Sequence, residues 1–405
     1  MGPTERLYYN DSHLTEFEAR VTSITESVSG WSAVTLDRTA FYPTGGGQPS
    51  DTGTLNDARV AECIDAEEEG VIHIVQGRNL QVGASVKGEV DWPRRLDHIQ
   101  QHTGQHILSQ AFINLFNAET RGFRMLDQYS EIDIALDNPT EEKIDRAIEL
   151  ANRIIWEDHP IHIRQVTKEE AASLPLRKES ERTGELRLIE IEGFDLTPCG
   201  GTHARASGEV GIIAARSFER AKGLTRIDFV AGNRALKDYN RTNRAARSIA
   251  AMFSAGRDEA TQAVARLMEE HKQLTRRARS LEDIAARVEA EEIFAEARLL
   301  SIDVNLCTRV FEDRDAESLK KLAFALIAHA KTIALVGSRD VDAARLVFAR
   351  SADTPGDMNA LMREACARLE GRGGGRADMA QGGGRLVEKL DEAIELAIKR
   401  LAEES

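Results

Sequence analysis

The sequence predicts an α+β chain built from several domains. Three observations carry that prediction. Short apolar runs rich in Val, Ile and Thr, broken by Gly, Asn and Asp, fill residues 1–90. Helical and strand-like patterns then alternate over 91–235 and again over 301–405. Between them, residues 236–300 hold no proline and a single glycine, and Ala, Glu, Arg and Leu dominate. A chain of 405 residues suits such a division into domains.

In the first segment Phe17–Val21, Trp31–Leu36 and Val71–Val75 read as strands. Between them lies Phe41-Tyr42-Pro43-Thr44-Gly45-Gly46-Gly47-Gln48-Pro49-Ser50-Asp51-Thr52-Gly53. Three glycines flanked by prolines suit neither a helix nor a central strand, but they let the backbone approach another surface closely. A helix is expected from Trp92 to about Phe116, because Leu96, Ile99, Thr103, His106, Ile107 and Gln110 recur at steps of three and four. Tyr129–Leu136 alternates polar and apolar, as an edge strand would. Thr140 is placed to cap a helix running to Trp156, with Glu141, Glu142 and Asp145 favouring its N-terminal dipole. Ile161–Val166, Leu186–Ile191, Gly211–Ser217 and Thr225–Val230 read as strands.

Within 236–300 a heptad seam runs through Val264, Leu267, His271, Leu274, Ala278, Leu281, Ala285 and Val288. A paired helical hairpin or a contact between two copies is expected there. The last segment reads as strands at Leu306–Phe311, Ile333–Gly337 and Leu346–Ala349 and helices at Ala316–His329 and Asn359–Leu369. A glycine-rich loop, Gly371–Gly384, precedes the closing helix and is expected to present N–H groups to an anion.

Composition narrows the function. No run of 18 apolar residues exists, so no membrane helix is expected. Met1–Arg6 lacks the apolar stretch of a secretory signal. Cys63, Cys199, Cys307 and Cys366 form no CxxC pair, which predicts a reducing, cytoplasmic setting. The net charge of −14 opposes nucleic-acid binding as a whole, yet the window from Arg205 to Arg247 carries ten basic residues against four acidic ones. Arg205, Arg216, Arg220, Lys222 and Arg226 are the candidate contacts to a phosphate backbone.

The chemistry concentrates in two motifs. His102-Thr103-Gly104-Gln105-His106 sets two imidazoles on one helical face, and Cys199-Gly200-Gly201-Thr202-His203 adds a thiol and a third imidazole. Four such donors suit tetrahedral zinc. His98 precedes His102 by four residues, so spacing alone leaves two pairs open, 98/102 or 102/106; 98 and 106 lie about 12 Å apart along a helix and cannot share one ion. No Glu stands between the histidines, so the HExxH arrangement with its general base is absent.

His102–His106 with Pro198–His203 resembles the zinc signature of the alanyl-tRNA synthetase editing domain and of its freestanding relatives, the AlaX proteins. Phe41–Gly53 resembles the glycine-rich segment of their N-terminal β-barrel, and Gly371–Gly384 with its flanks resembles their DHH-associated domain. The resemblance implies a β-barrel over 1–90, a zinc-binding editing domain over 91–235, a helical linker or coiled coil over 236–300 and a DHH-associated α/β domain over 301–405, as in the long AlaX form. It selects His102, His106, Cys199 and His203 as zinc ligands. It implies a deacylase acting on alanine tRNA mischarged with serine or glycine. Thr103, Gln105 and Thr202 would then meet the substrate or a water, with Asp195 an acceptor behind a ligand histidine. Thr44, Gly45, Gly46, Gly47 and Gln48 would close the pocket. The implied partners are tRNA(Ala) and, through the helical or C-terminal region, a second copy. About ninety residues before the zinc motifs are too few for an aminoacylation domain, so charging of tRNA is not expected. No Asp-His-His triplet is present, which disfavours phosphoesterase chemistry. The rival readings are a non-catalytic tRNA-binding protein with structural zinc and an unrelated zinc hydrolase of small esters.

Overall fold

The computed structural model describes residues 4–26, 30–67, 70–77, 80–178, 184–301 and 303–404. Met1–Pro3, read above for a signal, lie outside the described residues. The chain divides into two compact units, Met1–Ile249 and Ala250–Ser405.

The first unit opens with β1 (Glu5–Arg6), β2 (Glu16–Glu26), β3 (Trp31–Leu36), β4 (Arg38–Thr39), β5 (Gly53–Leu55), β6 (Ala58–Asp65), β7 (Val71–Gln76) and β8 (Ser85–Val90). Six of these close a barrel in the order β2-β3-β7-β6-β5-β8. Alternate residues point inward, so Phe17, Val21, Val34, Leu36, Leu55, Val60, Val75 and Val86 fill its core. A polar pair, His73 and Thr39, is buried with it. His73 is buried, receives the Thr39 hydroxyl proton at Nε2 (2.8 Å) and donates from Nδ1 to Val34 O (3.0 Å).

The chain then enters α1 (Trp92–Phe116). Asp91 caps its start and Asn117, in the left-handed region, ends it. Every residue from Gln101 to Ser109 is buried, so this helix is enclosed on all sides rather than on one stripe. It packs against α2 (Glu141–Trp156), which Thr140 caps as expected. A four-stranded sheet of β9 (Thr120–Met125), β10 (Ser130–Ile134), β14 (Ile213–Ala221) and β15 (Leu224–Ala231) runs in the order β14-β15-β10-β9. The strand expected at the edge, Tyr129–Leu136, is therefore interior: β10 pairs with β9 on one side and β15 on the other. Its alternation reports one buried face and says nothing about its neighbours. A smaller sheet joins β11 (Ile161–Val166), β12 (Leu186–Ile191) and β13 (Asp195–Pro198) in that order; α3 (Lys168–Ala172) sits between the first two in sequence. Helix α4 (Asn233–Met252) follows β15.

Barrel and helix are pinned by one buried ion pair. Arg95 of α1 meets Asp51 at 2.5 Å, both side chains wholly enclosed, and its other N–H groups reach Ser12 O (2.7 Å) and Ala40 O (2.6 Å). Every end of this guanidinium thus has a barrel-side partner, the condition for burying a charge.

The second unit contains α5 (Ala260–Ala295), β16 (Arg298–Ser301), β17 (Val304–Glu312), α6 (Ala316–Leu326), β18 (Thr332–Arg339), β19 (Ala344–Arg350), α7 (Met358–Arg368), β20 (Arg372–Gly375), β21 (Met379–Gly384) and α8 (Leu390–Glu404). Its sheet runs β16-β17-β18-β19-β21-β20, with one core shared with α6 and the end of α5 and another with α7 and α8. Two expectations change here. Gly371–Gly384 is not a loop: most of it forms β20 and β21, with β21 paired on both sides, to β19 and to β20, and β20 at the edge of the sheet. Glycine is needed because a Cβ at Gly382 would sit 2.5 Å from Cys366 Sγ of α7. Nor is the heptad stretch half of a hairpin closed along its seam: it is one 36-residue helix, and Leu267, Leu274, Leu281 and Val288 are exposed.

Candidate metal centre and its cleft

Helix α1 presents His102 and His106 on successive turns of one face. The turn after β13 brings the other two donors. Cys199 N–H bonds to Arg187 O (3.0 Å), and Arg187 Nη1 grips Cys199 O (2.7 Å) and Gly201 O (3.0 Å), so β12 fixes the Cys199–Gly201 turn. Gly201 must be glycine, because a Cβ there would fall on the His102 ring. His203 is then held through its backbone N–H on Ser12 Oγ (3.1 Å).

These four residues converge. Their nearest donor atoms lie within 4.8 Å of one another. Cys199 Sγ stands 3.5 Å from His102 Nε2 and 3.3 Å from His203 Nε2. Ligands of a tetrahedral zinc with Zn–N near 2.0–2.1 Å and Zn–S near 2.3 Å are separated by about 3.3–3.8 Å, the range of the two Cys199 distances.

The reverse side of each ring agrees. His102 Nδ1 meets Gln48 Oε1 at 2.7 Å, His106 Nδ1 meets Asp195 Oδ2 at 3.2 Å, and His203 Nδ1 meets Thr103 Oγ1 at 3.3 Å. With each Nδ1 carrying the proton, three Nε2 lone pairs and a sulfur face a common point, as in a metal site whose ligands are oriented from behind. Burial alone would push the Asp195 carboxyl up, but His106 and Arg177 bring it below the ordinary carboxylate range. Burial likewise opposes ionisation of Cys199, yet His102 and His203 hold its thiol well below the usual value. His98, the alternative partner of His102, stands outside the cluster, and its Nδ1 has no hydrogen-bond partner.

The cluster lies at a cleft of about 630 Å³. Of the residues singled out in the sequence, Thr44, Gly45, Gly46 and Gln105 line it, together with His102, His106 and Cys199. Gln105 donates to Ser109 Oγ (2.7 Å), and Thr44 Oγ1 accepts the Ser50 N–H (3.1 Å). Thr103, Thr202 and Gln48 are buried and stand behind the histidines rather than in the cleft wall. Gly47 turns away as well: its carbonyl accepts the Met125 N–H (2.9 Å), and a Cβ on it would strike Phe123.

The five candidate phosphate contacts lie elsewhere, and four have partners within the protein. Arg205 meets Asp11 (3.4 Å), Arg216 meets Asp238 (3.3 Å), Arg226 meets Asp133 (2.8 Å), and Arg220 donates to Leu136 O (3.0 Å). Lys222 is exposed in the β14–β15 turn. Sequence reasoning missed a different cationic set: Arg6, Arg121, Arg177, Lys178 and Arg187 all line the cleft, against Asp65 and Glu185. They come from three separated stretches, around 6, around 121 and over 177–187, so no single charge window along the chain collects all five.

Residues 3–94 match the family described as tRNA synthetases class II (A), 186–228 the threonyl and alanyl tRNA synthetase second additional domain, and 303–403 the DHHA1 domain. An alanyl-tRNA editing protein AlaX-L of Pyrococcus horikoshii is 31% identical over 98% of this chain and 98% of its own. The chain belongs to the AlaX-L family. It is also 32% identical to an alanine–tRNA ligase of Pyrobaculum neutrophilum over 98% of its length, but spans only 44% of that ligase. Among solved structures, the C-Ala domain of Aquifex aeolicus alanyl-tRNA synthetase is 33% identical, covering 26% of this chain and 97% of that one, with a TM-score of 0.25.

Proposed function

We propose that the protein is a trans-acting deacylase that hydrolyses the ester of mischarged alanine tRNA, releasing serine from seryl-tRNA(Ala), with glycyl-tRNA(Ala) as the second substrate. The observation that carries this reading is the convergence of His102, His106, His203 and Cys199 at a cation-lined cleft, in a member of an alanyl-tRNA editing family. The donor set favours Zn²⁺. His102, His106, Cys199 and His203 would hold the ion, which when bound would supply a Lewis acid at the aminoacyl end.

The chain's own residues do the rest. Gln105, its Nε2 spent on Ser109, offers its amide oxygen to orient the attacking water. Thr44 accepts from Ser50 and keeps its own proton to donate to the hydroxyl of serine. A pocket that expects this hydroxyl leaves a polar partner unsatisfied when alanine enters, at about 1–3 kcal/mol, which spares the correct product. The backbone of Gly45 and Gly46 closes one side of the cleft. Thr103 and Asp195 act through the ligand histidines they touch, and Thr202 through Gln48, rather than on substrate.

Arg121 and Lys178 are assigned to the phosphates near the acceptor end, and the partly neutralised Arg205–Arg226 set to weaker contacts farther along the tRNA, while Arg187 is committed to the Cys199–Gly201 turn. The exposed heptad face of α5 is assigned to a second copy of the chain. Among the described residues no helix is long and apolar enough to cross a membrane; the reading locates the protein with aminoacylated tRNA in the cytoplasm.

Release of serine faster than alanine from the two charged forms of tRNA(Ala), by zinc-loaded protein, is the expected result. The second reading, a tRNA-binding protein with structural zinc, draws on the fact that four protein donors complete a tetrahedral shell. Tight tRNA binding without loss of either amino acid would decide for it.

A further inference from the structure

Gln48 ends the glycine turn of the barrel and is 1% exposed. It does not line the cleft, so it has no access to substrate. Its amide orientation is fixed by a backbone group. Thr202 N–H must donate and lies 3.4 Å from one end of the amide, which is therefore the oxygen; the other end, the nitrogen, donates to Thr202 Oγ1 (2.9 Å). The same oxygen stands 2.7 Å from His102 Nδ1. That nitrogen must then carry a proton, and in the neutral ring Nε2 is the unprotonated one facing Cys199 Sγ.

The arm is built rigidly. Gly45 and Gln48 exchange backbone hydrogen bonds (3.0 and 2.9 Å), Tyr42 Oη donates to Gly45 O (2.8 Å), and Thr44 N–H reaches Cys63 O (3.0 Å). Gly47, in the left-handed region, docks on β9 through Met125. On the far side Gly201 lies against His102 and Gln48 together, with no room for a side chain. Of the three groups behind the imidazoles, Asp195 and Thr103 come from the same layer as the ligands. Gln48 alone comes from the barrel.

We propose that Gln48 is the positioning residue that sets the tautomer of His102, and that through it the barrel's glycine turn and metal occupancy are coupled. The inference rests on the metal reading above. Coupling is reciprocal: if the turn improves metal binding, bound metal stabilises the turn by the same free energy. Removing an outer partner of a metal-bound histidine lowers affinity by about 10–100-fold.

The test uses the full chain and zinc alone, with affinity read by competition against a chelator. Gln48→Leu is expected to weaken zinc binding about 10–100-fold, and Gln48→Glu, which keeps an acceptor for His102, to restore most of it. In the wild-type protein, which needs no variant to fold, zinc is expected to slow hydrogen exchange at the Gly45 and Gln48 amides. Equal zinc affinity of Gln48→Leu and wild type would overturn the proposal, as would exchange at the turn that ignores zinc. Failure of the underlying reading looks different: wild-type protein would bind no zinc, or Cys199→Ala would bind it as tightly as wild type.

Discussion

At the scale of single residues, geometry separates groups that hold the site from groups that face the substrate. Gly201 belongs to the first kind. Its Cβ position coincides with the His102 ring, so Gly201→Ala should tilt that ligand and weaken zinc binding by about 10–100-fold, as loss of a ligand's support does; chelator competition measures this. Arg95→Ala would leave the Asp51 charge buried without its partner. A loss of about 3–5 kcal/mol is expected, read from urea unfolding by tryptophan fluorescence, since Trp31, Trp92 and Trp156 all lie in the first unit.

His73 sets a pH dependence. Burial lowers its pKa from 6.5 to about 4, so the folded barrel keeps it neutral while the unfolded chain takes up a proton below about 6.5. Its contribution is complete above that pH and is lost as pH falls toward 4, on the order of 3 kcal/mol in all. His73→Gln should flatten the fall in urea midpoint between pH 7 and 5 relative to wild type. The residue scale was also the most legible one. The two motifs named the donors that the fold brings together, because metal chemistry restricts residue types and spacing. The partners behind the rings were harder to read: Gln48 stands 54 positions from His102 in the sequence, and no local pattern links them.

At the scale of elements, periodicity located what it encodes and missed what it does not. The helix from Trp92 to Phe116 was read over its observed span, and Thr140 was read as the cap it is. Tyr129–Leu136 was read as a strand but given the wrong neighbours, since pairing partners are non-local. Gly371–Gly384 was misread because glycine has no side chain to alternate. Its strands exist to let α7 approach, and Gly382→Val, placed against Cys366, should cost about 1–3 kcal/mol by overpacking. Faster hydrogen exchange in β19 and β21 would report it. The heptads predicted a seam, and α5 carries it on an exposed face. If a second copy covers that face, Leu274→Lys, at a position 65% exposed in the single chain, should lower the sedimenting mass toward one chain. An unchanged mass would remove the dimer from the account.

At the scale of the whole molecule, the charge distribution is the informative quantity. A chain of net −14 concentrates cations around one cleft, which gives a polyanion a local attraction without making the surface basic. The candidates drawn from the linear window Arg205 to Arg247 do not line this cleft, and four of the five have partners within the protein, as Arg6, Arg121 and Arg177 of the cleft also do. The affinity for tRNA should fall steeply with salt. Replacing Arg121 or Lys178 by Gln should make that dependence shallower by about one unit of slope per lost phosphate contact.

The central claim, that this cleft is a metal-dependent deacylase site, is tested most directly by one assay: serine release from seryl-tRNA(Ala), beside alanine release from alanyl-tRNA(Ala), by the zinc-loaded protein, its chelated form and Cys199→Ala. The account predicts rapid loss of serine, sparing of alanine, and no activity in the chelated form or the variant. Serine release that survives both chelation and Cys199→Ala would contradict it.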